Sequence, residues 1–114
     1  MSIALDQNNS SELSLSNRQK QFLKGLAHHM SPIVQIGKDG LSPGIVALIK
    51  KELLQHELIK IKIADNSGLE KKDTAAQVAQ LSASTMVQLI GKTIVLFKAN
   101  PKRPKDKQIK LPAR

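Results

Sequence analysis

Helical and strand patterns alternate along residues 16–98, and this order constrains the fold more than any other feature of the sequence. The first helix is predicted to begin at a capping box, in which Ser16 and Gln19 satisfy free backbone donors. An apolar stripe at helical spacing follows, made of Phe22, Leu23, Leu26 and Ala27. Pro32 disfavours helical geometry in the residue before it, so we expect this helix to end upstream of that proline.

The next strand and helix are joined by a short glycine-bounded loop. Residues 33–36 (Ile-Val-Gln-Ile) read as a strand between Pro32 and Gly37. Ser42 then fits an N-cap and Pro43 the first position of a helix that should run to about Gln55. The side of this helix predicted to be buried carries Leu41, Ile45, Leu48, Ile49 and Leu53.

The second half of the pattern supplies three more strands and one helix. Residues 58–64 alternate, with Ile59, Ile61 and Ile63 on one face and Lys60 and Lys62 on the other. A third helix is predicted over about residues 69–81. Residues 86–90 and 93–98 should pair as an antiparallel hairpin, because only two residues, at 91–92, separate them.

This order, α-β-α-β-α-β-β, predicts an α/β fold. Strands separated by helices favour parallel neighbours through right-handed crossovers, and the hairpin adds antiparallel pairing. We therefore expect a single compact domain with a mixed four-stranded sheet and packed helices over residues 16–98. Residues 1–15 read as a disordered polar leader. Residues 99–114 read as a basic C-terminal tail, in which Ile109 and Leu111 can still dock.

The charge distribution indicates a polyanionic partner. Eighteen basic residues stand against nine acidic ones, giving a net charge of +9. Seven of the basic residues fall in residues 98–114, which contain one acid. A basic domain with a basic tail is typical of nucleic-acid binding, although a solubilising surface is the alternative. Phe22 and Phe97 are the only aromatic residues, which argues against a module that stacks bases on sheet aromatics.

The sequence gives no support to an enzyme. It has no cysteine and no H-E-x-x-H motif, and its acids do not cluster. His28, His29 and His56 are the only histidines, and the adjacent pair is better explained as polar residues at a helix C-terminus than as metal ligands. We expect no cofactor, metal or small-molecule substrate. No signal peptide or membrane-length apolar run is visible, so we expect a cytoplasmic protein.

The loop Gly37-Lys38-Asp39-Gly40 is the most informative local motif. It lacks the spacing of a nucleotide-binding P-loop. Its glycines leave the backbone unobstructed, so it can approach a phosphodiester beside the positive end of a helix, and Lys38 adds a charge. KH domains clamp nucleic-acid backbone with a GXXG loop in this way. A turn that merely needs glycine conformations is the alternative interpretation.

Several other sequence motifs accompany this loop in an order that is known from a protein family. They are residues 23–28 (LKGLAH), 32–40, 41–44 (LSPG), 56–62 (HELIKIK), 88–98 (QLIGKTIVLFK) and 109–112 (IKLP). In this order they resemble a YhbY-type CRM domain, the RNA-binding module of chloroplast RNA splicing and ribosome maturation proteins. The resemblance implies a fold related to the C-terminal domain of translation initiation factor three, and RNA binding through the GxxG loop and neighbouring basic residues. Stand-alone bacterial members are associated with precursors of the large ribosomal subunit.

Composition and resemblance together predict a ribosome assembly factor that binds ribosomal RNA or a large-subunit precursor. No feature of the sequence requires an oligomer, so we expect a monomer. The predicted RNA contacts are the four loop residues together with Arg18, Lys20, Lys24, Lys60, Lys62, Lys98, Lys102 and Arg103. Two other classes stay open at this point. One is a nucleoid-type DNA-binding protein, and the other is a protein-interaction module whose basic tail docks an acidic partner.

Overall fold

The predicted order of elements is confirmed in a computed structural model, which describes residues 14–114. The elements are α1 (Asn17–Ala27), β1 (Val34–Ile36), α2 (Pro43–His56), β2 (Leu58–Ile63), α3 (Lys71–Leu81), β3 (Thr85–Ile90) and β4 (Thr93–Phe97), followed by a short 3-10 turn at Lys105–Lys107. The boundaries that were predicted to a residue lie within two residues of the observed ones, and α1 ends upstream of Pro32 as expected. Within the described part of the chain, no helix is long and apolar enough to cross a membrane.

Side-chain caps fix the start of each helix. At α1 the Gln19 amide donates to the Ser16 hydroxyl, and the Ser16 amide donates back to the Gln19 side chain, both at 3.1 Å. Ser42 accepts from the amide of Ile45 at the start of α2. The cap of α3 was not predicted: the Glu70 carboxylate accepts from the amides of Asp73 and Lys72, and these bonds lower its pKa. The caps explain why helices begin where the apolar pattern alone is weak.

The four strands form one mixed sheet in the order β1-β2-β4-β3. β1 and β2 are parallel and are joined through α2, whereas β4 pairs antiparallel with both β2 and β3. The β3–β4 hairpin turns at residues 91–92, where Gly91 adopts a φ of +56° that favours glycine. The predicted mixed four-stranded sheet is therefore confirmed.

Each face of the sheet has its own core. α2 and α3 cover one face, and the buried residues there include Ile49, Ile59, Ile61, Val78 and Leu96. α1 covers part of the other face, where Leu23, Ala27, Leu58, Val95 and Phe97 pack together. The C-terminal residues Ile109 and Leu111 also pack against this second cluster, whereas the end of β3 at Ile90 stays exposed.

The buried stripe of the helices is narrower than predicted. Leu23 and Ala27 of α1 are buried as expected, but Phe22 and Leu26 are 39% and 44% exposed. Leu48 of α2 is also 39% exposed. A residue of α1 that the apolar pattern omits, Gln19, is buried, and its side-chain amide donates to the carbonyl of Pro112 at 3.1 Å.

The C-terminal residues lie against the domain through the Glu57 carboxylate. This side chain, 2% exposed, accepts from the amides of Asn100 and Ile109, both at 2.7 Å, and from the Arg103 guanidinium at 3.0 Å. Ile109 and Leu111 pack against the second core, as the sequence suggested. Residues 99–114 therefore contribute to the fold, and their removal would leave a buried carboxylate without these donors.

The first described residues, Ser14 and Leu15, meet the C-terminal part of the chain or the core beside it. Leu15 packs against the second core, and the Arg114 guanidinium donates to the carbonyl of Ser14 at 3.1 Å. The rest of the predicted polar leader lies outside the described residues.

Candidate nucleic-acid interface

The two glycines of the loop at residues 37–40 have different roles. The loop is closed by the Gly40 amide, which donates to the carbonyl of Gly37 at 3.0 Å. Gly40 is buried with a φ of +64°, and a Cβ there would lie 3.7 Å from the Leu69 side chain. Gly37 has no such φ, and a Cβ there would meet nothing within 4 Å. Gly40 therefore sets the turn, and Gly37 provides the open approach.

Unused backbone donors lie at the tip of this loop. Lys38 and Asp39 are exposed, and among residues 14–114 no acceptor pairs with their amide N–H groups. The loop leads directly into α2, whose N-terminus carries a partial positive charge. Ser42 uses its hydroxyl on Ile45, so the helix start is ordered. Together these groups can hydrogen-bond the oxygens of a phosphate. The only nearby negative charge in the loop is the Asp39 carboxylate, which repels a phosphate close to that side chain.

Two other lysines reach the same end of the sheet. Lys62 is exposed and stands in a cross-strand row between Gln35 of β1 and Thr93 of β4. The hairpin turn adjoins β2, because the Ile63 amide donates to the carbonyl of Lys92 at 2.8 Å. We call this region the loop end: residues 37–40, Lys62 and the turn at residues 91–92.

Lys92 is a candidate that the sequence reasoning missed. Its ammonium lies 3.5 Å from the Asp65 carboxylate, an exposed ion pair that leaves the charge accessible. The available signal was its position in the two-residue turn. Antiparallel pairing of β4 with β2 places this turn at the same end of the sheet as the glycine loop.

A groove between α1 and the open part of the sheet brings Lys24 and Lys60 together. Its volume is about 490 Å³, and no carboxylate lines it among the described residues. The Lys60 ammonium donates to the carbonyl of Met30 at 2.9 Å and to that of His28 at 3.5 Å, which fixes its position. Lys20 lies one turn before Lys24 on α1, and Arg18 is exposed at the helix start.

The remaining predicted contacts lie at the opposite end of β2. Lys98 follows β4, and its amide donates to the carbonyl of Glu57, just before β2 begins. We call this region the tail end: Glu57, Lys98 and residues 99–114. β2 spans six residues, so the two ends are separated by roughly 17 Å along the strand. Lys102 is exposed there, whereas the Arg103 guanidinium is engaged by Glu57. The predicted contacts thus form three groups, at the loop end, along α1 and its groove, and at the tail end, rather than one surface.

Comparisons with known proteins identify the domain family to which this fold and these motifs belong. The family model described as the CRS1 / YhbY (CRM) domain matches residues 15–98. The Bacillus subtilis (strain 168) protein named "Probable RNA-binding protein YqeI" is 41% identical over 86% of this chain and 99% of its own length. A Haemophilus influenzae protein named "RNA-binding protein" is 39% identical over 87% of this chain and 96% of its own.

A solved structure agrees with the sequence comparisons. The solution structure of the hypothetical protein SAV1595 from Staphylococcus aureus matches with a TM-score of 0.71 and 36% sequence identity, over 87% of this chain and all of that one. The similarity to this family therefore extends over the whole domain and is not limited to the glycine loop, the capped helix and the hairpin. The chain belongs to the CRS1/YhbY (CRM) domain family.

Proposed function

We propose that this protein binds RNA, without catalysing a reaction on it, and that the loop end makes the principal contact. The observation that carries the proposal is the open loop at Gly37, which offers unused amide donors and Lys38 just before a helix N-terminus, at the end of the sheet where Lys62 also lies. These groups suit a phosphodiester, and a glycine loop of this kind clamps nucleic-acid backbone in KH domains. The names of the relatives from B. subtilis and H. influenzae support RNA as the ligand.

The RNA that we propose is ribosomal RNA in a precursor of the large ribosomal subunit, to which the protein would bind as an assembly factor. The support is the match of residues 15–98 to the CRS1 / YhbY (CRM) domain, together with the resemblance to stand-alone bacterial members of that family. The net charge of +9 adds a sequence-independent attraction to any polyanion. Selectivity must therefore come from the shape and flexibility of the RNA rather than from charge alone.

Competition between nucleic acids tests the class of ligand. A fluorescent ribosomal RNA fragment with a structured loop is bound to the full chain at one salt concentration and displaced with unlabelled competitors. We expect unlabelled RNA to displace it at lower concentrations than duplex DNA of equal length. Charge alone would make the two competitors nearly equal, so a difference between them reports recognition of RNA structure. Equal displacement by both would favour a general DNA-binding protein.

Sedimentation of cell extracts tests the assembly role. We expect the tagged full chain to sediment with particles lighter than the mature large subunit during exponential growth, and more strongly after mild cold stress. The Gly37→Asp variant should shift to the top of the gradient if the loop end makes the contact. A parent chain that is found only with free protein under both conditions would contradict the assembly role.

A further inference from the structure

The groove between α1 and the sheet has a chemistry that backbone binding at the loop end does not use. Its floor includes Val95, which is buried, and Ile90, which is 61% exposed at the mouth. Gln21 of α1 and Gln88 of β3 face into it from opposite sides. A side-chain amide carries two donors and an acceptor, which is the pattern needed to pair with the edge of a nucleobase.

The charged groups of the groove are arranged for one anionic ligand. Lys24 and Lys60 contribute two positive charges, and the groove lining in the described chain contains no acid. Two donors of the Lys60 ammonium are held by backbone carbonyls, which fixes the position of this group at the groove. The exposed imidazole of His28 stands at the rim, and histidine is among the side chains on which unstacked RNA bases stack.

We propose that this groove accepts one unpaired nucleotide of the bound RNA. The base lies between α1 and the sheet, where Gln21 and Gln88 bond its edge, and Lys24 and Lys60 neutralise its phosphate. The volume of about 490 Å³ falls within the range of small-ligand sites, roughly 300–1,000 Å³. The inference rests on the proposed function and adds that the RNA has a single-stranded or bulged nucleotide next to the segment held at the loop end.

The position of the groove fits one continuous strand of RNA. Thr93 lines the groove and stands in the same cross-strand row as Lys62 and Gln35. Two strand spacings of about 4.8 Å separate the ends of this row, so the groove begins roughly 10 Å from the strand that leads into the glycine loop. A nucleic-acid backbone crossing Lys62 therefore reaches both places.

Gly25 allows a test that does not endanger the fold. It lies in α1 at the wall of the groove, and a Cβ there would meet nothing within 4 Å. Leucine at this position extends into the groove, whereas alanine adds only a methyl group, and neither changes the charge. Both variants should melt at a higher temperature than the parent, because glycine is a poor helix former.

The measurement compares two RNAs of equal length, a hairpin with an unpaired loop and a fully paired duplex. We expect Gly25→Leu to bind the hairpin roughly tenfold more weakly than Gly25→Ala, the size of effect produced by losing one stacked base. Both variants should bind the duplex like the parent. Gln88→Leu should weaken hairpin binding roughly threefold to tenfold by loss of a hydrogen bond, with Gln77→Leu on α3 as the control.

Equal hairpin affinity of the two Gly25 variants, or an equal loss on both RNAs, would overturn the groove as a nucleotide site while leaving RNA binding at the loop end intact. A parent chain that binds neither RNA would overturn the proposed function and this inference together.

Discussion

Replacing Arg103 with alanine is expected to lower the free energy of unfolding by about 3 kcal/mol, because it strips the cation from a buried carboxylate. Glu57 is 2% exposed, and its carboxylate lies 3.0 Å from the Arg103 guanidinium. Two backbone amides, those of Asn100 and Ile109, would still donate to Glu57. Their presence places the expected loss at the lower end of the range for breaking a buried ion pair.

Lys102→Ala is the matched control, since it removes the same charge from the neighbouring, exposed position. Its effect should stay within about 0.5 kcal/mol. Thermal and urea unfolding followed by circular dichroism measure both variants, and the Arg103 variant should melt at least roughly 10 °C lower. Similar melting temperatures for the two variants would mean that the Glu57 contacts do not hold the C-terminal residues on the domain.

Gly37→Asp is expected to weaken RNA binding about tenfold to a hundredfold, because it places a negative charge where a phosphate must approach. The fold should tolerate the change, since Gly37 lacks a positive φ and its Cβ would meet nothing within 4 Å. Gly40→Asp is a poorer test. Gly40 is buried with a φ of +64°, so an acidic side chain there strains the turn whatever its effect on RNA.

Two controls separate the causes of a loss at Gly37. Gly37→Ala adds only the Cβ atom, which narrows the open approach without adding a charge, and should weaken RNA binding much less than Gly37→Asp. Gln77→Glu changes the charge by the same amount on the exposed face of α3 and should lower affinity only slightly. Fluorescence anisotropy with a structured RNA measures all variants after melting curves have shown them folded. If Gly37→Asp binds like Gln77→Glu, the loop is only a turn.

The order of elements could be predicted because each is encoded locally. Caps at Ser16 and Ser42, alternation along β2 and a two-residue turn depend on residues close together in sequence, and all were confirmed. The burial of α1 was predicted less well. How much of a helix is covered depends on what packs beside it, and here the C-terminal residues meet α1 at Gln19.

The site was harder to predict because its geometry is set by contacts distant in sequence. Arg103 and Glu57 are 46 residues apart, and no periodic pattern marks either as a partner of the other. Arg103 therefore read as one more cation of a solvated tail. The nearness of Lys62 to the glycine loop follows from parallel pairing of β1 and β2. That pairing was expected, but its register was not, nor was the β2–β4 register that places Lys92 at the same end of the sheet.

The most direct test of RNA binding through the loop end compares two double variants. Each variant lacks two positive charges at one end of the sheet. Lys38→Ala/Lys62→Ala changes the loop end and Lys102→Ala/Lys105→Ala changes the tail end, and all four side chains are exposed. The affinity of each double variant for one structured RNA is measured as a function of salt concentration. Each lost phosphate contact should reduce the slope of log affinity against log salt by roughly 0.7–0.9. We expect a reduction of about 1.4–1.8 for the loop-end pair and almost none for the tail-end pair. The reverse result would contradict RNA binding through the loop end.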